Sequence, residues 1–186
     1  MIVLASASPR RKELLKLIVD DFCIEPADIE ESVTENIEIE KYPEHLAVKK
    51  AENIFNNGHS NDVVIGCDTG VFIDGEMLGK PQNFEDAKKM LARLSGKTHK
   101  VITGVCVYAK EQCIRFSNIT CVEFFELCDK EIEEYILTGE PMDKAGAYGI
   151  QGRGALLVRK IHGDYFNVVG LPVAQLSRVL KQMNVL

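Results

Sequence analysis

An excess of positive charge is missing from this chain. Its 22 Lys and Arg stand against 28 Asp and Glu, a formal net charge of −6. Duplex binding needs a basic footprint that displaces counterions, so no nucleic-acid partner is expected. A small polyanion is not excluded, because a few local cations can build a positive pocket on an acidic protein. Long apolar runs are missing as well. No stretch approaches the roughly 20 apolar residues of a spanning helix, so no membrane partner is expected. The first residues, MIVLASASPRRKELL, carry a short apolar run followed by arginines. That inverts the charged-then-apolar order of a secretory signal, and the expected location is the cytoplasm. There is no CxxC: Cys23, Cys67, Cys106, Cys113, Cys121 and Cys128 lie at least seven residues apart. Short-spaced zinc sites are thereby disfavoured. Most of these cysteines sit in apolar runs such as VCVY and ITCVEF, where a free thiol packs as a small hydrophobe, in keeping with a reducing compartment. Neither GxxxxGK[ST] nor GxGxxG occurs, and there is no HExxH or GxSxG. The four histidines are scattered.

What is present is an ordinary globular composition: 186 residues, 46% hydrophobic and 27% charged. That suits one domain, or two small lobes sharing a core. Ile2 to Ala5 reads as a short buried strand. Ser8-Pro9 starts a helix, since serine caps and proline tolerates the first helical position. Residues 28–41 are acidic and read most simply as a solvated loop or helix face. Helices are expected from Pro43 to Phe55, from Phe84 to Leu94, from a cap at Asp129, and from about Pro172 to Met183. Val63 to Cys67 reads as a buried strand that resumes at Val71 to Ile73 after a break, with Asp74-Gly75 as a hairpin turn. Val101 to Tyr108 and Ile114 to Phe125 read as antiparallel strands, and Ala155 to Val158 as another. Helices and hairpins interleave, so the expected class is α/β with a mixed sheet.

Four segments carry polar residues that secondary structure does not require. Ser6 to Arg11 joins a strand to a helix start, where free N–H groups and two arginines suit phosphate; a capped, solvated helix start is the plainer alternative. Asp68 follows four apolar residues and reads as a strand-end carboxylate, a candidate base or metal ligand, or a turn former. Gly79-Lys80-Pro81 offers a point charge for phosphate, or a surface loop. Glu140 to Gly152 is glycine-rich around Gln151, whose amide can read a base edge; a tight turn is the alternative.

Together these segments resemble the Maf family of nucleotide pyrophosphatases. The matching pieces are LASASPRRKELL, VKKAE, GCDTGV, GKP, LSGKTHKVITGV, EPMDKAGAYGIQG and FNVVGLP, in family order along nearly the whole chain. The resemblance implies a single Maf-like domain over 1–186. Its expected fold is a mixed twisted sheet flanked by helices, in an elongated two-lobed Maf/ITPase-like form with a central cleft. It implies hydrolysis of dTTP and UTP to the monophosphate and pyrophosphate, with a divalent metal, magnesium or manganese. By position, Asp68 is the implied catalytic base. Arg10, Thr69 and Gln151 mark the dTTP/UTP branch. Ser6, Arg11, Lys50 and Lys80 suit the phosphates, and Glu31 with Asp68 the metal. A nucleoside triphosphate is the expected partner, with a homodimer left open. A nucleotide-binding regulator of septum formation is the alternative function. The chain departs from the family pattern at Cys67 and Gly70, which flank Asp68-Thr69; a thiol beside the base suggests sensitivity to oxidation.

Overall fold

The computed structural model describes residues 1–30, 37–110 and 112–186. The chain runs β1 (Ile2–Leu4), α1 (Pro9–Leu15), β2 (Cys23–Ile24), α2 (Tyr42–Asn56), β3 (Val63–Ile73), β4 (Glu76–Leu78), α3 (Phe84–Leu94) and β5 (Thr98–Ala109). It continues through β6 (Gln112–Phe124), α4 (Asp129–Ile136), β7 (Val158–His162), α5 (Tyr165–Val169) and α6 (Val173–Gln182). The sheet order is β2-β1-β3-β5-β6-β7, with β4 paired to β3. β1 is parallel to β2 and to β3, whereas β3–β4 and β6–β7 are antiparallel. The expected mixed sheet flanked by helices is therefore present.

The chain divides into two compact units. The first comprises 1–69, 103–118 and 170–186; the second comprises 70–102 and 119–169. In the first, α2 lies along the sheet over Val3, Ala5, Val64 and Cys106, with Ala47, Ala51 and Ile54 facing them. Two glycines set how close the helix comes. A Cβ on Gly66 would stand 2.1 Å from the Ala47 carbonyl oxygen, and one on Gly104 would stand 2.2 Å from the Glu44 nitrogen. In the second unit, Ala87, Leu91 and Leu94 of α3 and Ile132, Tyr135 and Ile136 of α4 bury against Val71, Val101, Val122 and Phe124.

Several local expectations change. β3 does not break after Cys67 but runs on for 11 residues, so Asp68 sits mid-strand and not at a strand end. Neighbours on both sides of β3 hold it extended through residues of low strand propensity. Ala155 to Leu157 form part of a 3-10 turn, Gly152–Leu157, that precedes β7. The α4 cap is Cys128, with Asp129 inside the helix. Of the thiols, only Cys67 and Cys106 are buried as small hydrophobes; Cys23, Cys113 and Cys128 are exposed.

Candidate functional site

Two polar networks form in the first unit, and they meet at consecutive residues of β3. Alternate side chains of a strand face opposite ways. Gly66 and Asp68 therefore face α2, and Cys67 and Thr69 face away from it. On the α2 side, Lys50 follows Ala47 by three residues and so lies on the same helical face. Its ammonium donates to Asp68 Oδ1 at 2.7 Å. The two side chains are only 11% and 17% exposed, so the pair is shielded from bulk water yet still open to a ligand.

On the other side, Arg11 of α1 makes three side-chain hydrogen bonds. Nε donates to the Gly170 carbonyl at 2.9 Å, one Nη to Ser6 Oγ at 3.1 Å, and the other to Thr69 Oγ1 at 3.0 Å. Thr69 Oγ1 also pairs with Thr103 Oγ1 at 2.9 Å. Every acceptor is neutral, so the guanidinium is oriented without its charge being cancelled by these bonds. The α1 cap is occupied internally: Ser8 Oγ accepts the Arg11 N–H at 3.4 Å. The arginine side chain, more than the helix start, is thus what this turn presents.

Cys67 lies between the networks. Burial pushes its thiol pKa up, with Asp68 adding to the rise, while the Arg11 and Lys50 charges oppose it. A buried, protonated thiol is a poor nucleophile, so the expected oxidation sensitivity beside Asp68 finds no support.

Of the residues expected from sequence, Ser6, Arg11 and Thr69 join one of these networks and Lys50 and Asp68 the other. Arg10 lies one position before Arg11 on α1 and is half-buried. Lys80 and Gln151 belong to the second unit and are exposed. Glu31 lies outside the described residues. Two participants were not expected, Thr103 and Gly170. Thr103 is wholly buried within the apolar stretch 101–107 of β5, which is a signal in itself, because a buried hydroxyl must find a partner.

Around Gln151 the backbone is held by its own segment and by neighbouring elements. The Glu140 carboxylate accepts the N–H groups of Arg153 and Gly154 at 3.0 and 3.3 Å. Tyr135 Oη accepts the Gly149 N–H at 3.1 Å, and Tyr148 Oη lies 2.7 Å from His99 Nε2. Gly152 has φ +67°, and a Cβ there would meet Glu140 Oε1 at 2.7 Å. The glycine-rich stretch is therefore a turn pinned both by Glu140 and by Tyr135 and His99 of neighbouring elements, and it leaves the Gln151 side chain exposed.

An arginine held by neutral acceptors, a shielded carboxylate–ammonium pair and a mixed α/β sheet frame the class, and comparison with known proteins places the chain in a family. The family model described as Maf-like protein matches residues 1–183, and the chain belongs to that family. It is 49% identical over 183 residues to a Bacillus mycoides protein named dTTP/UTP pyrophosphatase, covering 98% of this chain and 95% of that protein. A Bacillus velezensis protein of the same name is 50% identical over 184 residues, covering 99% and 97%. Among solved structures, the Staphylococcus aureus Ham1 protein matches with a TM-score of 0.58 at 16% identity, over 98% of both chains. A HAM1 protein from Coxiella burnetii matches with a TM-score of 0.57 at 15% identity, over 97% of this chain and 98% of that one. These two share the fold. Among the described residues, no helix is long and apolar enough to cross a membrane.

Proposed function

We propose that this chain is a cytoplasmic dTTP/UTP pyrophosphatase of nucleotide-pool housecleaning. It cleaves between the α- and β-phosphates and releases the nucleoside monophosphate and pyrophosphate. The observation that carries this reading is full-length identity of 49% and 50% to relatives so named. The Lys50–Asp68 pair and the Arg11 network supply matching chemistry.

Hydrolysis of a phosphoanhydride needs positioning and charge stabilisation more than covalent chemistry. Arg11, fixed by Gly170, Ser6 and Thr69, offers its remaining donors to phosphate oxygens. Asp68 acts as the general base that takes the proton of the attacking water, and Lys50 holds that carboxylate in place. Lys80 serves as a further phosphate cation, and Arg10, Thr69 and Gln151 read the pyrimidine; these roles rest on the family resemblance. Among the described residues, no three His, Cys, Asp or Glu side chains are grouped to cage a metal. One shielded carboxylate nevertheless fits magnesium or manganese, which bind through one or two carboxylates plus substrate phosphates. Asp68 would hold the ion, with Glu31 as the second carboxylate. Bound there, the ion supplies neutralisation of the developing phosphate charge.

The test is pyrophosphate release from dTTP, UTP, CTP, GTP and ATP with added magnesium or manganese. Fast turnover of dTTP and UTP is expected. CTP presents an amino group where uracil and thymine present an oxygen, and a mispaired buried polar group costs about 1–3 kcal/mol. Gln151→Ala should therefore narrow the gap between dTTP and CTP by roughly tenfold or more. A wild-type preference for CTP or a purine would remove the base assignment. Nucleotide binding without any turnover would favour the regulator of cell division instead.

A further inference from the structure

Away from the Lys50–Asp68 pair, the first unit holds two thiols in contact. Cys106 Sγ on β5 and Cys113 Sγ on β6 are 3.6 Å apart. The two strands are neighbours in the sheet. Adjacent strands run about 4.8 Å apart, inside the range of backbone separations that a disulfide spans. A sulfur–sulfur bond is about 2.0 Å long, so roughly 1.5 Å remains to be closed by side-chain rotation. The 3.6 Å contact already supplies the proximity that two free cysteines otherwise lack.

We propose that Cys106 and Cys113 are a dithiol that small-molecule disulfides of the glutathione class oxidise to a reducible intramolecular bond. The two sulfurs have different roles. Cys113 is exposed and meets the oxidant first. Cys106 is buried beside Ala47 and Ala51 of α2, out of reach of a bulky disulfide. Burial pushes the Cys106 thiol up, as do Cys113 and Glu52 beside it, against the opposing pull of Arg115. That keeps Cys106 unreactive toward an oxidant in solvent; its role as the resolving thiol rests on its 3.6 Å contact with Cys113, which makes the second attack intramolecular.

The Cys113 thiolate attacks one sulfur of the oxidant. A mixed disulfide forms and one thiolate leaves, taking up the proton that Cys113 lost. The Cys106 thiol then loses its proton and attacks Cys113 Sγ, expelling the second oxidant half as a thiolate that is protonated in turn. Two protein thiols and one small disulfide become one protein disulfide and two small thiols. The two cysteine sulfurs are oxidised and the small disulfide is reduced. This inference does not depend on the proposed hydrolase activity.

The experiment treats the full-length native protein with oxidised glutathione, quenches in acid, blocks free thiols and digests without reductant. Lys110 lies between the two cysteines, so trypsin separates them unless the bond joins the fragments. The expected result is a joined pair of peptides carrying Cys106 and Cys113 and lighter by two hydrogens, which dithiothreitol separates. Cys106→Ala should instead accumulate glutathione on Cys113, because no resolving thiol remains. Wild-type protein that keeps glutathione on Cys113 without the joined peptides would overturn the proposal. So would a Cys106→Ala variant with no more Cys113 adduct than wild type, a comparison read only on protein that retains its native circular dichroism.

Discussion

Acidification from neutral pH toward pH 4 asks the folded protein to place a charge on His99, and the second unit resists it. His99 is 2% exposed, with the Phe124 ring centroid at 5.0 Å and that of Tyr148 at 5.3 Å. Its Nε2 bonds the Tyr148 hydroxyl, and its Nδ1 has no partner among the described residues. Burial lowers its pKa from 6.5 to about 4. Between those two values the unfolded chain binds a proton that the folded chain refuses. Stability is therefore full above the unfolded pKa and falls as pH drops toward the folded one. Every tenfold weakening of proton binding on folding is worth about 1.4 kcal/mol, so by about pH 4.5 this one group removes roughly 2–3 kcal/mol. His59 works in the opposite sense. Its pKa is raised by its bonds to Asp62 and Glu25, so its contribution is full at acid pH and is lost as pH rises through its raised value. The assay is urea denaturation of wild type and His99→Gln at about pH 7 and about pH 4.5, with stability taken from the midpoint and slope. The variant should start less stable, yet lose roughly 2–3 kcal/mol less on acidification. Parallel losses in the two proteins would refute the reasoning.

Asp68→Asn keeps the shape beside Lys50 but removes the base; turnover should fall by about 10²–10⁴ with the fold intact, read as kcat against melting temperature. Lys80→Ala should raise KM for the triphosphate while leaving the melting temperature nearly unchanged, since Lys80 is exposed; equal losses in both would make it a structural lysine. Gly66→Ala puts a Cβ 2.1 Å from the Ala47 carbonyl oxygen and should cost about 1–3 kcal/mol or more in denaturant unfolding.

How far the fold is legible in the sequence depends on whether the signal is local. α3 matches its amphipathic period from Phe84 to Leu94 because every determinant lies within the segment, including the Asn83 side chain that caps it. β3 reads as broken because Gly66, Asp68 and Gly70 are poor strand formers. What carries the strand through them is the helix above and the strands beside it, and neither is visible from local composition. The Ala155 to Val158 run reads as a strand because it is apolar. It is instead the end of the 3-10 turn Gly152–Leu157, packed so closely at Gly154 that a Cβ would meet the Gly149 carbonyl oxygen at 2.1 Å and Tyr135 Oη at 2.7 Å, a tertiary contact that local composition does not show. The contacts of the candidate site are legible where residues fall in a family motif, as with Ser6 and Thr69 on Arg11 and Lys50 on Asp68. Thr103 and Gly170 lie 92 and 159 positions from the arginine network's origin at Arg11, and only the folded chain joins them to it.

The placement of the chemistry on β3 follows from the two-residue period of a strand. Asp68 and Thr69 are neighbours in sequence, so their side chains must leave on opposite faces. One goes to Lys50 on α2 and the other to Arg11 on α1. A slip of one residue would turn Asp68 to the face of Arg11 and Thr69 to the face of Lys50. A carboxylate beside Arg11 would neutralise it by an ion pair and remove it as the proposed phosphate ligand. The register that prevents this is held by Gly66, where the Ala47 carbonyl comes so close that no side chain fits. A slip in either direction would bring Ile65 or Cys67 beneath that carbonyl, and neither can be accommodated there. The glycine two residues before Asp68 thus keeps the carboxylate with Lys50 and the arginine free for an anion, without touching either.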